Sequence, residues 1–232
     1  MTEDGAKHRR FTSTKDCATN GIKILVHGPA GIGKTCLCAS LPNPIILSAE
    51  SGLLSLKGVD IPVIEISTMK DLEEAYEWLT TSKDANQFES ICLDSVSEIA
   101  EVVLANEKKN EKDPRKAYGT MQDSMNGLIR AFRDIPNKNV YFSAKQERVN
   151  DDNKLLYGPS MPGQKLGQGI GYFFDEVFAY QIYTDTEGTP HRVLLTQPDG
   201  KSQAKDRSGA LDFYEEPDLG AIIRKIKGET DG

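Results

Sequence analysis

The 232-residue sequence contains no apolar run that approaches the length of a membrane span, so a helical membrane protein is excluded and a soluble chain without membrane contact is expected. Its first stretch, Met1 to Asn20, is polar and mixed in charge, without the hydrophobic segment of a secretory signal, and reads as a flexible leader. Cysteine is scarce: Cys17, Cys36, Cys38 and Cys92 include no CxxC pair. That spacing excludes a zinc ribbon or a disulfide framework and fits reduced thiols in a cytoplasmic protein. Positive charge is also short, the net charge being -7, so a uniformly basic coat for nucleic acid is excluded and any nucleic acid must meet a local patch. There is no internal repeat. The 38% hydrophobic and 27% charged fractions suit a globular chain, and the length suits one α/β domain over 21–228, with 229–232 as a tail.

Against these absences stands Gly28-Pro29-Ala30-Gly31-Ile32-Gly33-Lys34-Thr35, which fits the phosphate-binding pattern GxxxxGK[ST] at every fixed position. The chemistry requires this spacing because consecutive backbone N–H groups must curl around a β-phosphate, and glycines permit the close approach and positive φ. Lys34 is placed to bridge β- and γ-phosphates, the Thr35 hydroxyl to ligate Mg²⁺, and Cys36 to complete the ATP-binding set at the start of a helix whose dipole adds to the field. Context agrees: the β-branched run Ile22 to His27 precedes the loop, and Thr35 to Ser40 reads as a helix stopped near Pro42.

Strands and helices alternate from Ile22 to about Ser143, the pattern of a parallel sheet with crossover helices. Strands are expected at Pro44–Ser48, Pro62–Ile66, Ser90–Asp94 and Asn139–Ser143. Helices are expected at Met69–Leu79, with a Thr68/Asp71 capping box, and at Val96–Lys108 and Tyr118–Asp134. In the last of these Met121 and Met125 are core filler rather than a cofactor box. Glu107 to Lys116 reads as a charged break, and Asn150 to Gly171 as a long glycine-rich loop. A hairpin turning at Asp185–Pro190 and a helix over Pro217–Ile226, with Pro217 in its first turn, complete the chain.

Asp94 ends an apolar strand expected beside the phosphate loop and is the candidate for the Mg²⁺ shell. The attacking water needs a carboxylate base. Glu50 ends the strand that begins at Ile45, on the rim that parallel strands share, and Glu98 is the alternative, four residues past Asp94 on a helix.

These residues resemble the RecA-type ATPases. Ile46-Leu47-Ser48-Ala49-Glu50 is similar to the family's strand ending in Ala-Glu, Asp94-Ser95-Val96-Ser97 to its Asp-Ser-Val Walker B element, and Phe142 to Arg148 to its strand ending in a γ-phosphate-sensing glutamine, here Gln146. Ala204 to Gly209 resembles the Lys-x-Arg-x-Gly element, which implies Lys205 and Arg207 as fingers supplied in trans and ATP at the subunit interfaces of a homo-oligomer. The resemblance implies an α/β, RecA-like P-loop NTPase core, with a mostly parallel sheet, flanking helices and a C-terminal β-hairpin plus helix. The short length, and Tyr157 to Gly163, look most like phage-encoded ATPases of the Sak-type single-strand annealing group. That group implies ATP-linked binding and annealing of single-stranded DNA in a bacterial host cytoplasm, with a single-strand-binding protein as a further partner.

In RecA-like proteins the DNA-contacting loops follow the Walker B helix and the sensor strand. Here those places hold Lys108, Lys109, Lys112, Arg115 and Lys116, then Arg148, Lys154 and Lys165, with Tyr118 and Tyr157 as candidate stacking platforms. A solvated helix end is the plainer account of the first cluster. Two other functional readings stay open: a RecA-like replicative motor or loader, and an ATP-gated switch with little turnover.

Overall fold

The computed structural model describes residues 21–50, 52–151 and 154–229. The expected leader with Cys17, and the tail beyond Glu229, lie outside the described residues.

Six parallel strands form the centre of the sheet: β1 (Lys23–His27), β2 (Pro44–Ser48), β3 (Val63–Glu65), β4 (Ser90–Asp94), β5 (Asn139–Asp151) and β7 (Glu176–Thr184). Their order across the sheet is β3-β2-β4-β5-β1-β7. Antiparallel strands extend it: β8 (Pro190–Leu195) and β10 (Tyr214–Glu215) on the β7 side, the short β9 (Lys205–Asp206) against the start of β7, and β6 (Lys154–Ser160) against the outer half of β5.

The strand sequences explain why the centre is parallel. β1 and β4 are buried at every position, as strands covered on both faces must be. Alternate side chains then enter two separate cores. Leu25, Leu47 and Leu93 point to one face, under α1 (Met69–Thr81), α2 (Val96–Asn110) and α3 (Pro114–Arg133). Ile24, Ile46 and Cys92 point to the other, under the turn at Thr35–Ser40 and the C-terminal helix α5 (Leu219–Lys227). Met121 and Met125 are fully buried in the first core. The capping box of α1 forms: Thr68 Oγ1 accepts the Asp71 N–H, and the Asp71 carboxylate accepts the N–H of Thr68.

Three sequence expectations are corrected and one is made more specific. Thr35–Ser40 is helical and stops before Pro42 as expected, in 3₁₀ form, because Leu41 precedes Pro42 and is extended, which ends the segment after six residues. So short a helix brings less dipole to the phosphate loop than expected. The charged break shrinks to Glu111–Asp113, since α2 runs on to Asn110 and Asp113 caps α3 at the Arg115 N–H. The long loop is a β-hairpin, β5 continuing to Asp151 and returning as β6, followed by the six-residue helix α4 (Gln164–Gly169). Pro217 precedes the N-cap of α5, Asp218, whose carboxylate accepts the Ala221 N–H.

Candidate active site

The loop Gly28–Lys34 leaves the carboxyl end of β1 and forms one wall of a cleft of about 700 Å³, within the size range of small-molecule sites. Gly31 and Gly33 have φ of 77° and 114°, which β-carbon-bearing residues avoid. Gly28 is required for a different reason: a Cβ there would sit 2.8 Å from the Tyr180 carbonyl oxygen. Tyr180, buried on β7, thus braces the loop from behind. Ile32 turns into the second core, so only its backbone faces the cleft side of the loop.

Lys34 Nζ donates to the carbonyls of Gly28 (2.8 Å) and Pro29 (3.0 Å). Burial lowers its pKa, opposed by the carboxylates of Glu50 and Asp94. Buried Tyr141, on β5, donates its hydroxyl to the Lys34 carbonyl at 2.8 Å and fixes the lysine's backbone.

Asp94 ends β4 and reaches the phosphate loop as expected, although β5 lies between β4 and β1 in the sheet. The gap is bridged by side chains. Thr35 Oγ1 donates to Asp94 Oδ2 at 2.8 Å, and Ser143 of β5 donates to Oδ1. Burial pushes the Asp94 carboxyl up, the two hydroxyls oppose this, and Glu50 adds to it. The following Asp94–Ser95 peptide is cis.

Glu50 is half-buried and lines the cleft. Ser95 Oγ donates to Glu50 Oε1 at 2.6 Å while accepting the Glu98 N–H at the start of α2, so one hydroxyl ties the candidate base to the helix cap. Glu98 faces Lys145 in an ion pair, and of these two Lys145 lines the cleft. Gln146 also lines it, from β5.

The remaining expected residues lie elsewhere. Lys205 Nζ donates to the carbonyls of Gly171 (2.7 Å) and Phe174 (2.5 Å), and Arg207 pairs with Asp175 at 2.8 Å. Neither lines the chain's own cleft, because β9 pairs with the start of β7, the end of the parallel sheet opposite the loop. Beneath that turn, burial and the Asp206 carboxylate push Glu176 up to about 8. Lys108 and Lys109 occupy the last turn of α2, Lys112 the connection, and Arg115 and Lys116 the first turn of α3, all exposed. Lys108 Nζ stands 5.2 Å from the centre of the Tyr118 ring, and Arg148 Cζ stands 5.4 Å from that of Tyr157. Lys165 is exposed on α4, and Lys154 opens β6 with its side chain outside the described residues.

Sequence reasoning missed Arg192, Lys145, Ser95 and Tyr180 as parts of this site. Arg192 reaches the cleft from β8 and has no local signal linking it to the loop. Ser95 did carry one, being a serine directly before a helical run at a strand end.

His27, the residue before Gly28, is fully buried; its Nε2 lies 2.7 Å from the Gln203 carbonyl, and its Nδ1 has no hydrogen-bond partner among the described residues. Burial holds its pKa down to about 4, the Lys34 charge lowering it further and the Gln203 bond opposing. The ring is therefore neutral in the folded chain. Its contribution is present above pH 6.5 and is lost as pH falls from 6.5 through 4, roughly 3 kcal/mol in all. Glu176, pushed up rather than down, works in the opposite direction, costing stability as pH rises from 4.5 towards 8. Chemical denaturation across pH 4 to 7 should show that His27→Gln flattens the acid limb relative to the parent chain; an unchanged slope would contradict this assignment.

A family profile described as AAA domain matches residues 20–208. No curated protein matches the chain. Among solved structures, a KaiC-like protein of the hyperthermophilic archaeon Pyrococcus horikoshii OT3 is similar at 12% identity, covering 76% of this chain and 78% of that one, with a TM-score of 0.42.

Proposed function

The chain belongs to the AAA domain family, with a RecA-like P-loop fold, and on that premise we propose that it is a Mg²⁺-dependent ATPase that works as a homo-oligomer on single-stranded DNA, in annealing or recombination. The observation that carries the ATPase part is the contact of Thr35 with Asp94 across β5, in a cleft that also holds Lys34 and Glu50.

The residues fit the metal: a threonine hydroxyl and a buried carboxylate, hard oxygen donors side by side, are what Mg²⁺ takes together with phosphate oxygens. Thr35 and Asp94 would hold it, and it would neutralise charge on the β- and γ-phosphates. Lys34 supplies the second positive charge. Glu50, aimed by Ser95, accepts the proton of the attacking water, and Gln146 senses the γ-phosphate from β5.

Support for DNA comes from the α2–α3 turn, where five exposed cations lie between Lys108 and Lys116, and from the β5–β6 hairpin. Each place pairs a cation with an exposed tyrosine, a combination that serves both phosphate and base. Lys205 and Arg207, at the opposite end of β7, suit contact with a neighbouring subunit's nucleotide, which puts the ATP sites at subunit interfaces. A second reading, an ATP-gated switch, draws on the engagement of Glu50 by Ser95.

Steady-state ATP hydrolysis with Mg²⁺, alone and with single- or double-stranded DNA at two salt concentrations, tests the proposal. Single strands are expected to stimulate turnover, with the stimulation fading at higher salt as the release of counterions gains less entropy. Hydrolysis indifferent to both DNAs would leave an ATPase of another use, and tight ATP binding without turnover would favour the switch.

A further inference from the structure

We propose that Arg192 is a nucleotide-binding residue supplied in cis, its guanidinium clamping the α- and β-phosphates of a nucleoside di- or triphosphate. The proposal rests on the cleft being a nucleotide site.

Three observations converge on Arg192. It sits on β8, opposite Ile182 of β7, with an exposed side chain that lines the same cleft as Lys34 and Cys36. Its guanidinium has no hydrogen-bond or ion-pair partner among the described residues, whereas every other cation considered for the reaction is engaged. Lys34 holds the carbonyls of Gly28 and Pro29, Lys145 pairs with Glu98, Lys205 holds two carbonyls and Arg207 pairs with Asp175. Third, the position is over a defined part of the loop: a Cβ on Gly33 would lie 3.3 Å from the Tyr180 hydroxyl and 3.7 Å from Arg192 Nη1.

That position decides which phosphates are met. In a loop of this pattern the backbone N–H groups cradle the α- and β-phosphates, while the lysine reaches towards the γ-phosphate. Arg192 stands over Gly33, the residue before Lys34, and Glu50, Asp94 and Gln146 belong to the γ-phosphate side by their proposed roles. A planar guanidinium can bridge two phosphate oxygens with parallel N–H bonds, which an ammonium cannot. The clamp therefore acts on ADP as much as on ATP and contributes to binding rather than to the chemical step. It is separate from the trans role of Lys205 and Arg207, since it needs no second subunit.

The test is calorimetric titration of the full chain with ATP and with ADP, both with Mg²⁺, for the parent and for R192A, R192K and K34A. R192A is expected to weaken both nucleotides by the same factor, roughly tenfold or more, as for loss of a charged hydrogen bond. R192K should recover part of that loss. In turnover assays the loss should appear as a rise in KM for ATP by a factor comparable to the fall in affinity, the signature of uniform binding. Should R192A fold poorly by thermal denaturation, R192Q, which keeps much of the stem, takes its place in the same titration. Unchanged ADP affinity in R192A alongside a defective K34A overturns the clamp and leaves the nucleotide site intact. A loss confined to ATP or to kcat also overturns it, by moving the guanidinium to the γ-phosphate. A parent chain that binds neither nucleotide overturns the clamp and the proposed function together.

Discussion

Lys34→Ala should lower kcat/KM for ATP by about 10²- to 10³-fold, the order seen when a charge-stabilising donor is removed from an active site. The effect is electrostatic. Lys34 is the cation that faces both Glu50 and Asp94, and burial already weakens its solvation. Two acids and a polyphosphate in one cleft need that charge beside the Mg²⁺ that Thr35 and Asp94 would hold. The alanine variant leaves Asp94 next to Glu50 with one fewer compensating charge, which raises the Asp94 carboxyl further and weakens it as a metal ligand. Folding should survive, because the Lys34 side chain bonds to two carbonyls of its own loop, that of Pro29 being exposed. Turnover assays beside a thermal melt check this: full activity in a folded K34A chain would refute the phosphate-loop assignment.

The second large effect concerns Glu50. Glu50→Gln should preserve ATP affinity while lowering kcat by about 10² to 10⁴-fold, the usual contribution of a general base. Glutamine keeps an oxygen that can accept the Ser95 hydroxyl, so the local geometry at 2.6 Å is retained and only the proton acceptor is lost. Glu98→Gln is the matched control. It breaks an ion pair with Lys145 but leaves the Glu50–Ser95 contact in place, and should change kcat far less. Single-turnover measurements on both variants separate the two carboxylates. A Glu98→Gln chain that loses turnover while Glu50→Gln keeps it would reverse the assignment.

What sequence could reveal depended on how local each feature is. The strands of the central sheet were legible because burial on both faces demands apolar runs such as Ile24 to Val26 and Ile91 to Leu93. The loop was legible because its glycines and lysine are consecutive. The β5–β6 hairpin was not: Lys145 to Asp151 is polar with one buried valine, Val149, so no strand period shows, although the Asn150–Asn153 run is itself a turn signal. Arg192 was invisible for another reason. Its place beside Gly33 exists only once β7 has been laid against β1 and β8 has folded back on β7, a relation between residues far apart in the chain. The short 3₁₀ helix after the loop escaped because helical composition does not distinguish it from a first α-turn; the decision falls to Pro42 and to the packing of α5, whose Leu219 N–H binds Ser40 Oγ at 2.9 Å.

One strand joins the two ends of this molecule's chemistry. Up to Ala144, β5 is locked between neighbours in the main sheet, and from Lys145 it is paired only with β6. Gln146, in the cleft, and Arg148, against Tyr157, lie two residues apart on the same side of that strand, about 7 Å from one another. No glycine or proline interrupts Asn139–Asp151 between the two positions. The returning strand is held as well: the Tyr157 N–H donates to the Lys201 carbonyl and the Tyr157 carbonyl accepts the Gln203 N–H, so the hairpin is anchored on both of its strands. With Gln146 in the γ-phosphate role proposed for it, the strand that would read the nucleotide is also the one that carries the Arg148–Tyr157 pair, and the anchoring at Tyr157 is what would set how far one could move the other.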